Sequence, residues 1–434
     1  MSRSSYWRRS LGMLLTMVMV ASLAACGKAQ APAAPTTPAS PAGPVKIQFW
    51  HALPGAQGDV LKSLVGEFNA TQKEVVVEPV FQGNYSDLNN KLLAALASGK
   101  PPAMSMMYEN ETSKYLESQA LVPVQKFIDD PKAGMKPDEV NDILEVFRKN
   151  NTWNGQMVTM PFNKSAYVLF YNTDLIKEPP KTWDELEAIA KKVTRKNGDK
   201  VEVYGFGLRP NVDTFNTYLV EAGSDFLSPD EKKATFAGPE GVQALEFIVR
   251  LVKEQAAMNI ASGYESDVFG PGKIAMYIGS SAGFAFVAKN SQGKHGWNVA
   301  PLPAGPKTNL TISQGTNVGI FAKASPEEQL AAWRFIKWLV SPEITAKYAS
   351  KTGYVPVRAS AAGTQVWKDH VAKDAKNGVP FASLKNATFG PRTAKWAALR
   401  NVISSAIEKA VAGSATPKDA LAGAAAKVDQ ELAK

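Results

Sequence analysis

The chain has 434 residues and a formal net charge of +9, with 45% apolar and 21% charged residues. That is the make-up of a globular protein long enough for two domains or lobes. The basic residues are scattered, without a stripe of interleaved aromatics, which excludes a nucleic-acid surface. The single cysteine, Cys26, excludes a disulfide framework, and the three histidines, His51, His295 and His370, have no metal-ligand spacing.

Arg3, Arg8 and Arg9 supply three of the positive charges, leaving the rest of the chain near +6. They precede an uncharged, mostly apolar run over 11–25, the layout of a secretory leader. The run is shorter than the ~20 residues that span a bilayer as a helix. Leu23-Ala24-Ala25-Cys26 resembles a bacterial lipobox, which implies cleavage before Cys26 and lipid on its sulfur. Pro32, Pro35, Pro38, Pro41 and Pro44 then recur every third residue, the period of polyproline II. The expectation is a leader over 1–25, a lipidated Cys26 with an extended tether over 26–44, and an exported body held at a membrane face.

In the body, "VKIQFW" (45–50), "EVVVEPVF" and "PPAMSMMY" read as strands. Helices lie between them, the second with Ser86 as N-cap and Gly99 as stop. This order predicts a parallel, doubly wound sheet. "QMVTMPF" and "SAYVLFYN" read as two strands broken at Asn163-Lys164. "TWDELEAIAKKV" is a helix with a capping box at Thr182 and Glu185. "VEVYGFGL", "GKIAMYIGSS" and a short "LTIS" read as strands. Helices are predicted from Pro239, at about 325–341 and 342–351, and twice near the C-terminus. No linker divides the body, so an α/β, two-lobed fold whose chain crosses between lobes more than once is expected.

Open α/β sheets bind ligands beyond the carboxyl ends of their strands. That rule selects Tyr108, Glu109, Ser280 and Gly315 as lining one cleft. For Glu109 a salt bridge at the strand end competes with hydrogen bonding to ligand hydroxyls. Arg400 lies on the apolar side of its helix, where a charge must be paired or used. Its fork suits phosphate or carboxylate, and a buried ion pair is the alternative. "GSSAG" matches G-x-S-x-G, which would make Ser281 a nucleophile with His295 or His370 as base; a ligand-binding or capping turn is the competing reading. Trp333 is expected at the edge of a core face and Trp338 on it. No cofactor motif is present: no P-loop, no G-x-G-x-x-G and no C-x-x-C.

"FWHALPG", "GNY", "MYEN", "MPFNKSAYVLFYN", "PPKTWDELEAIA", "GKIAMYIGSS", "TGYVPV" and "LRNVI" resemble the extracellular solute-binding proteins of ABC importers, and within them the glycerol-phosphate-binding group. The likeness covers about 45–430. It implies two α/β lobes closing on a ligand, with no catalysis, and a permease as partner for a monomeric receptor. It further implies a lobe from 45–163 plus about 280–325, and another from 164–279 plus about 326–434. Matching motif to motif, it implies ligand contacts from Tyr85, Glu109, Ser165, Ser280, Gly315, Tyr354 and Arg400. Where the group's known members carry a tryptophan-rich segment, this chain has "GLRPN". Leu208 and Arg209 there imply a wider pocket, open to a glycerophosphodiester such as glycerophosphocholine as well as to glycerol-3-phosphate. A neutral-sugar receptor, a serine hydrolase and a purely structural lipoprotein are the competing readings.

Overall fold

The structure is a computed structural model that describes residues 43–434; the expected leader, Cys26 and most of the tether lie outside them. One mixed sheet runs through the body. Its strand order is Ala257–Asn259, Phe206–Leu208, Met276–Ser280, Met160–Asn172, Thr311–Phe321, Met104–Met107, Val45–His51, Val75–Phe81. Val45–His51 pairs in parallel with both Val75–Phe81 and Met104–Met107, joined by helices Gly55–Thr71 and Tyr85–Ala97. Phe206–Leu208 likewise lies parallel to Ala257–Asn259 and Met276–Ser280. Between these halves the two longest strands, Met160–Asn172 and Thr311–Phe321, run antiparallel to each other.

Each half builds its own apolar core. Phe49, Met104, Phe147, Phe335 and Tyr348 belong to the first. Leu186, Phe206, Phe215, Leu245, Leu399 and Ile407 belong to the second. Burying one such side chain contributes about 2 kcal/mol, so each half can stand on its own burial. The long strand Met160–Asn172 feeds both: Phe162 and Ala166 sit in the first core, Leu169 and Tyr171 in the second.

The lobe assignment differs from expectation in two segments. Helices Pro326–Leu339 and Pro342–Thr352 pack on the first core, through Trp333, Phe335 and Tyr348, and Tyr354, Val355, Val357 and Leu384 after them belong to the same core. Strand Trp297–Ala300 pairs with the far half of Met160–Asn172 and joins the second core. The cause is strand Thr311–Phe321, which returns the chain to the first lobe, where Val318 and Ile320 are buried.

Other departures are local. The break at Asn163-Lys164 is absent, and Met160–Asn172 is continuous and buried throughout. Both polar residues are satisfied inside: Asn163 Nδ2 donates to Tyr85 Oη at 3.1 Å, and Lys164 Nζ to Asn150 Oδ1 at 2.9 Å. The second helix is capped by Asn84, with Asp87 closing the box, rather than by Ser86. Glu185 returns its carboxylate to the Lys181 amide instead of to Thr182. Trp333 is fully buried because its Nε1 finds the Ala133 carbonyl at 3.0 Å, while Trp338 is the one at the edge.

Glu221 is 0% exposed, in the second core. Its Oε2 accepts from Trp183 Nε1 at 2.6 Å, and its Oε1 has no partner. Burial pushes this carboxyl well up, against the pull of the Trp183 hydrogen bond, and so favours the neutral acid. In the unfolded chain it ionises above about pH 4.3. Folding above that pH takes up a proton, and stability falls as pH rises. Glu221→Gln is neutral at every pH. Urea melts should show the variant gaining on the wild type from pH 5 to pH 8, by about 1–3 kcal/mol.

Candidate functional site

A cleft of about 660 Å³ opens between the two cores. The first lobe lines it with Pro54, Gln57, Tyr85 and Tyr354, and the second with Leu208, Arg209, Asp213, Tyr264 and Glu265; Ser280 and Gln314 come from the strands between. A larger hollow, about 980 Å³, lies on the first lobe alone, around Asp130, Arg334 and Arg358. Only the smaller one is walled by both lobes.

Of the residues selected from sequence, Tyr85, Leu208, Arg209, Ser280 and Tyr354 line the cleft directly. Ser165 is directly behind Ser280, whose Oγ donates to Ser165 Oγ at 2.8 Å. The Tyr85 and Tyr354 hydroxyls meet at 3.4 Å. Gly315 follows the lining residue Gln314. Arg400 reaches the cleft through Asp213, which it grips with Nη1 at 2.8 Å and Nη2 at 2.7 Å. This is the ion pair that its apolar helix face required. Arg209 is also paired, Nε to Glu265 Oε1 at 2.9 Å, and its guanidinium lies 5.2 Å from the centre of the Tyr264 ring.

The hinge floor is set by Gly315. Its φ is +109°, and a Cβ there would stand 2.0 Å from the Asn163 carbonyl oxygen. Only glycine lets the two long strands approach so closely. The ladder shifts register between Gly315 and Asn317. Lys164, 2% exposed, spans the irregularity by donating from Nζ to the Gly315 carbonyl at 3.0 Å. Burial pulls its ammonium down to about 8, with Glu109 opposing. Glu109 opens helix Glu109–Glu117. Burial pushes its carboxyl up, against the attraction of Lys164, Arg392 and Arg400.

Charge is therefore unevenly spread. Around Glu109 stand three cations. The second lobe also brings Asp267 to the cleft, so that against Arg209 it sets three carboxylates there, those of Asp213, Glu265 and Asp267. Arg400 is common to both regions, since it acts on Glu109 and also on Tyr167. The acidic region carries open aromatic faces: Tyr264 is 65% and Phe286 54% exposed.

Asp213, Glu265, Asp267, Tyr264 and Phe286 escaped the sequence reading. For Asp213 there was a signal. Asn211 caps helix Val212–Glu221 and so fixes Asp213 in its first turn. The others lie in, or cap, the two short helices Glu265–Phe269 and Phe284–Ser291, which are too short to show periodicity. Ser281 does not make a nucleophile elbow. Its Oγ is fully buried and unpartnered, and both His295 nitrogens are taken by the Gly296 and Phe269 carbonyls. His370 packs on Trp367 instead.

Residues 63–375 match the family model described as bacterial extracellular solute-binding protein. The chain belongs to that family. This solute-binding protein is 27% identical over 329 residues to the sn-glycerol-3-phosphate-binding periplasmic protein UgpB of Rhizobium meliloti, covering 73% of the chain and 76% of the relative. To the protein of the same name from Salmonella typhimurium it is 26% identical over 408 residues, covering 89% and 92%. Its fold is that of UgpB from Mycobacterium tuberculosis, solved with glycerophosphocholine, at TM-score 0.77 and 20% identity over 90% of this chain and 98% of that one. It is equally that of the cyclic α-maltosyl-1,6-maltose binding protein from Arthrobacter globiformis, at TM-score 0.78 and 24% identity over 90% and 99%. Among the described residues no helix is long and apolar enough to cross a membrane.

The hinge gives a test. Gly315→Ala meets both a positive φ and the Asn163 carbonyl, whereas Gly413→Ala meets a φ of +75° with nothing within 4 Å. Urea midpoints should place the Gly413 variant about 1–2 kcal/mol below wild type. The Gly315 variant should fall by about 3 kcal/mol or more, as the strands are forced apart.

Proposed function

We propose that this member of the family is the substrate-binding lipoprotein of an ABC importer for glycerophosphodiesters with a cationic head group, glycerophosphocholine among them. It traps the diester between its lobes and presents it to the permease. The observation that carries the reading is the polarised charge. A phosphate finds the Arg400 guanidinium, with Lys164 and Arg392 behind it. Glu109 accepts from glycerol hydroxyls, which it can do beside a phosphate only because those cations surround it. A trimethylammonium group finds Glu265, Asp267 and the exposed Tyr264 and Phe286 rings, the carboxylate and aromatic surroundings that suit a quaternary amine. Glycerol-3-phosphate, with up to two negative charges and no cation, would bring nothing to the acidic end around Asp267. The names of the sequence relatives support the glycerol-phosphate end of this reading.

Export and lipidation at Cys26 complete the proposal and rest on the leader sequence. A neutral oligosaccharide is the second reading. The open faces of Tyr264 and Phe286 favour it, because aromatic platforms stack on sugar rings.

Binding requires a difference in affinity between open and closed arrangements. Titration calorimetry should give tighter binding for glycerophosphocholine than for glycerol-3-phosphate, and none for maltose. Arg400→Ala should weaken the diester by roughly 2 kcal/mol, about thirtyfold, with Asp213 left unpaired. Heat from maltose alone would transfer the assignment to sugars. A phosphodiester keeps one negative charge throughout the neutral range, so the ligand itself adds no pH dependence. Lys164 loses its proton as pH rises through about 8. Affinity should therefore hold below pH 8 and fall above it; a flat profile to pH 9 would remove Lys164 from the binding electrostatics.

A further inference from the structure

The last passage of the chain between lobes runs from Leu384, in the first core, to Trp396, in the second. Arg392 stands on it and holds both sides. Its Nη1 donates to the Lys149 carbonyl at 3.0 Å and the Thr152 carbonyl at 2.6 Å. The guanidinium covers the Trp153 ring at 4.9 Å. Those partners belong to the first lobe. Its backbone N–H donates to Glu231 Oε1 at 2.6 Å, and Glu231 belongs to the second lobe.

Glu231 is placed with care. It sits in a tight turn closed by the Leu227–Ala234 bridge and by the Ser228 amide on the Lys233 carbonyl. Its φ is +56°, the left-handed region that a residue other than glycine, asparagine or aspartate rarely enters. A strained backbone that aims a carboxylate at another lobe points to a use. Arg392 also communicates with the ligand side. Trp153 Nε1 donates to Ser113 Oγ at 2.9 Å, on the helix that begins at Glu109. Glu109 and Glu231 are also the two acids whose charges act on Arg392.

We propose that Arg392 is an inter-lobe clamp: with Glu231 it holds the lobes in the arrangement described here, against further opening, and positions the helix that presents Glu109. Opening the cleft moves Glu231 away from Lys149, Thr152 and Trp153, so the side chain must release its carbonyls or the backbone must release the carboxylate. The clamp sets how readily the empty cleft opens, whichever solute it takes.

The test is small-angle X-ray scattering of the whole protein without ligand, for wild type, Arg392→Ala, Glu231→Gly and the double variant, each checked for folded content by circular dichroism. Glu231→Gly removes the carboxylate while relieving the positive φ, so the turn keeps its shape and the fold is spared. The clamp predicts a larger radius of gyration in each single variant, and no further increase in the double variant. Stability in Glu231→Gly should be unchanged or higher. A wild-type radius in Glu231→Gly would overturn the proposal, and that variant decides alone if Arg392→Ala does not fold. Increases that add in the double variant would also overturn it, because they would mean two separate structural losses.

Discussion

Two long strands cross the middle of the sheet, and at Gly315 their backbones pass so closely that no side chain fits between them. Much of the rest depends on this approach. It brings the Gly315 carbonyl within reach of the Lys164 ammonium and so allows a cation to be buried on the strand that both cores share. On the other side of Met160–Asn172, pairing with Met276–Ser280 sets Ser280 beside Ser165. A strand continuous from one core to the other is stiff along its length.

The buried ammonium organises the electrostatics. A cation taken from water must be compensated, and Lys164 is compensated by two oxygen acceptors and by the nearby Glu109. Burial in turn pushes the Glu109 carboxyl up, and the attraction of Lys164, Arg392 and Arg400 opposes that push. The Arg400–Asp213 and Arg209–Glu265 pairs extend the same logic across the cleft.

Much of this was legible in sequence where a periodic signal existed. The alternation of strands and helices from Val45 to Met107 gave the parallel half of the first lobe, and Pro239 and Pro417 marked helix starts that the structure has. Of the cleft-lining residues, the strand-end rule picked out Ser280, while Tyr85, Leu208, Arg209 and Tyr354 were implied by the family resemblance. What failed was long-range. Asn163-Lys164 read as a break because two polar residues in an apolar run ordinarily mean a loop. Their partners, Tyr85, Asn150 and Gly315, are distant in the chain or carry no visible pairing signal. The placement of 326–352 failed because strand Thr311–Phe321 changes lobes without any change in composition. Asp213 and Glu265 were missed as partners of Arg400 and Arg209 because pairings across 187 and 56 residues cannot be read from neighbouring sequence, even though the Asn211 cap marks Asp213 as lying in a first turn.

The central claim is that the cleft reads a ligand by its two opposite charges. A crystal structure of the protein with glycerophosphocholine tests it most directly. The account predicts the phosphate within hydrogen-bond distance of Arg400, glycerol hydroxyls on Glu109, and the trimethylammonium group against Tyr264 and the Glu265 and Asp267 carboxylates. A diester bound the other way round, or crystals that take up maltose and exclude the diester, would contradict it.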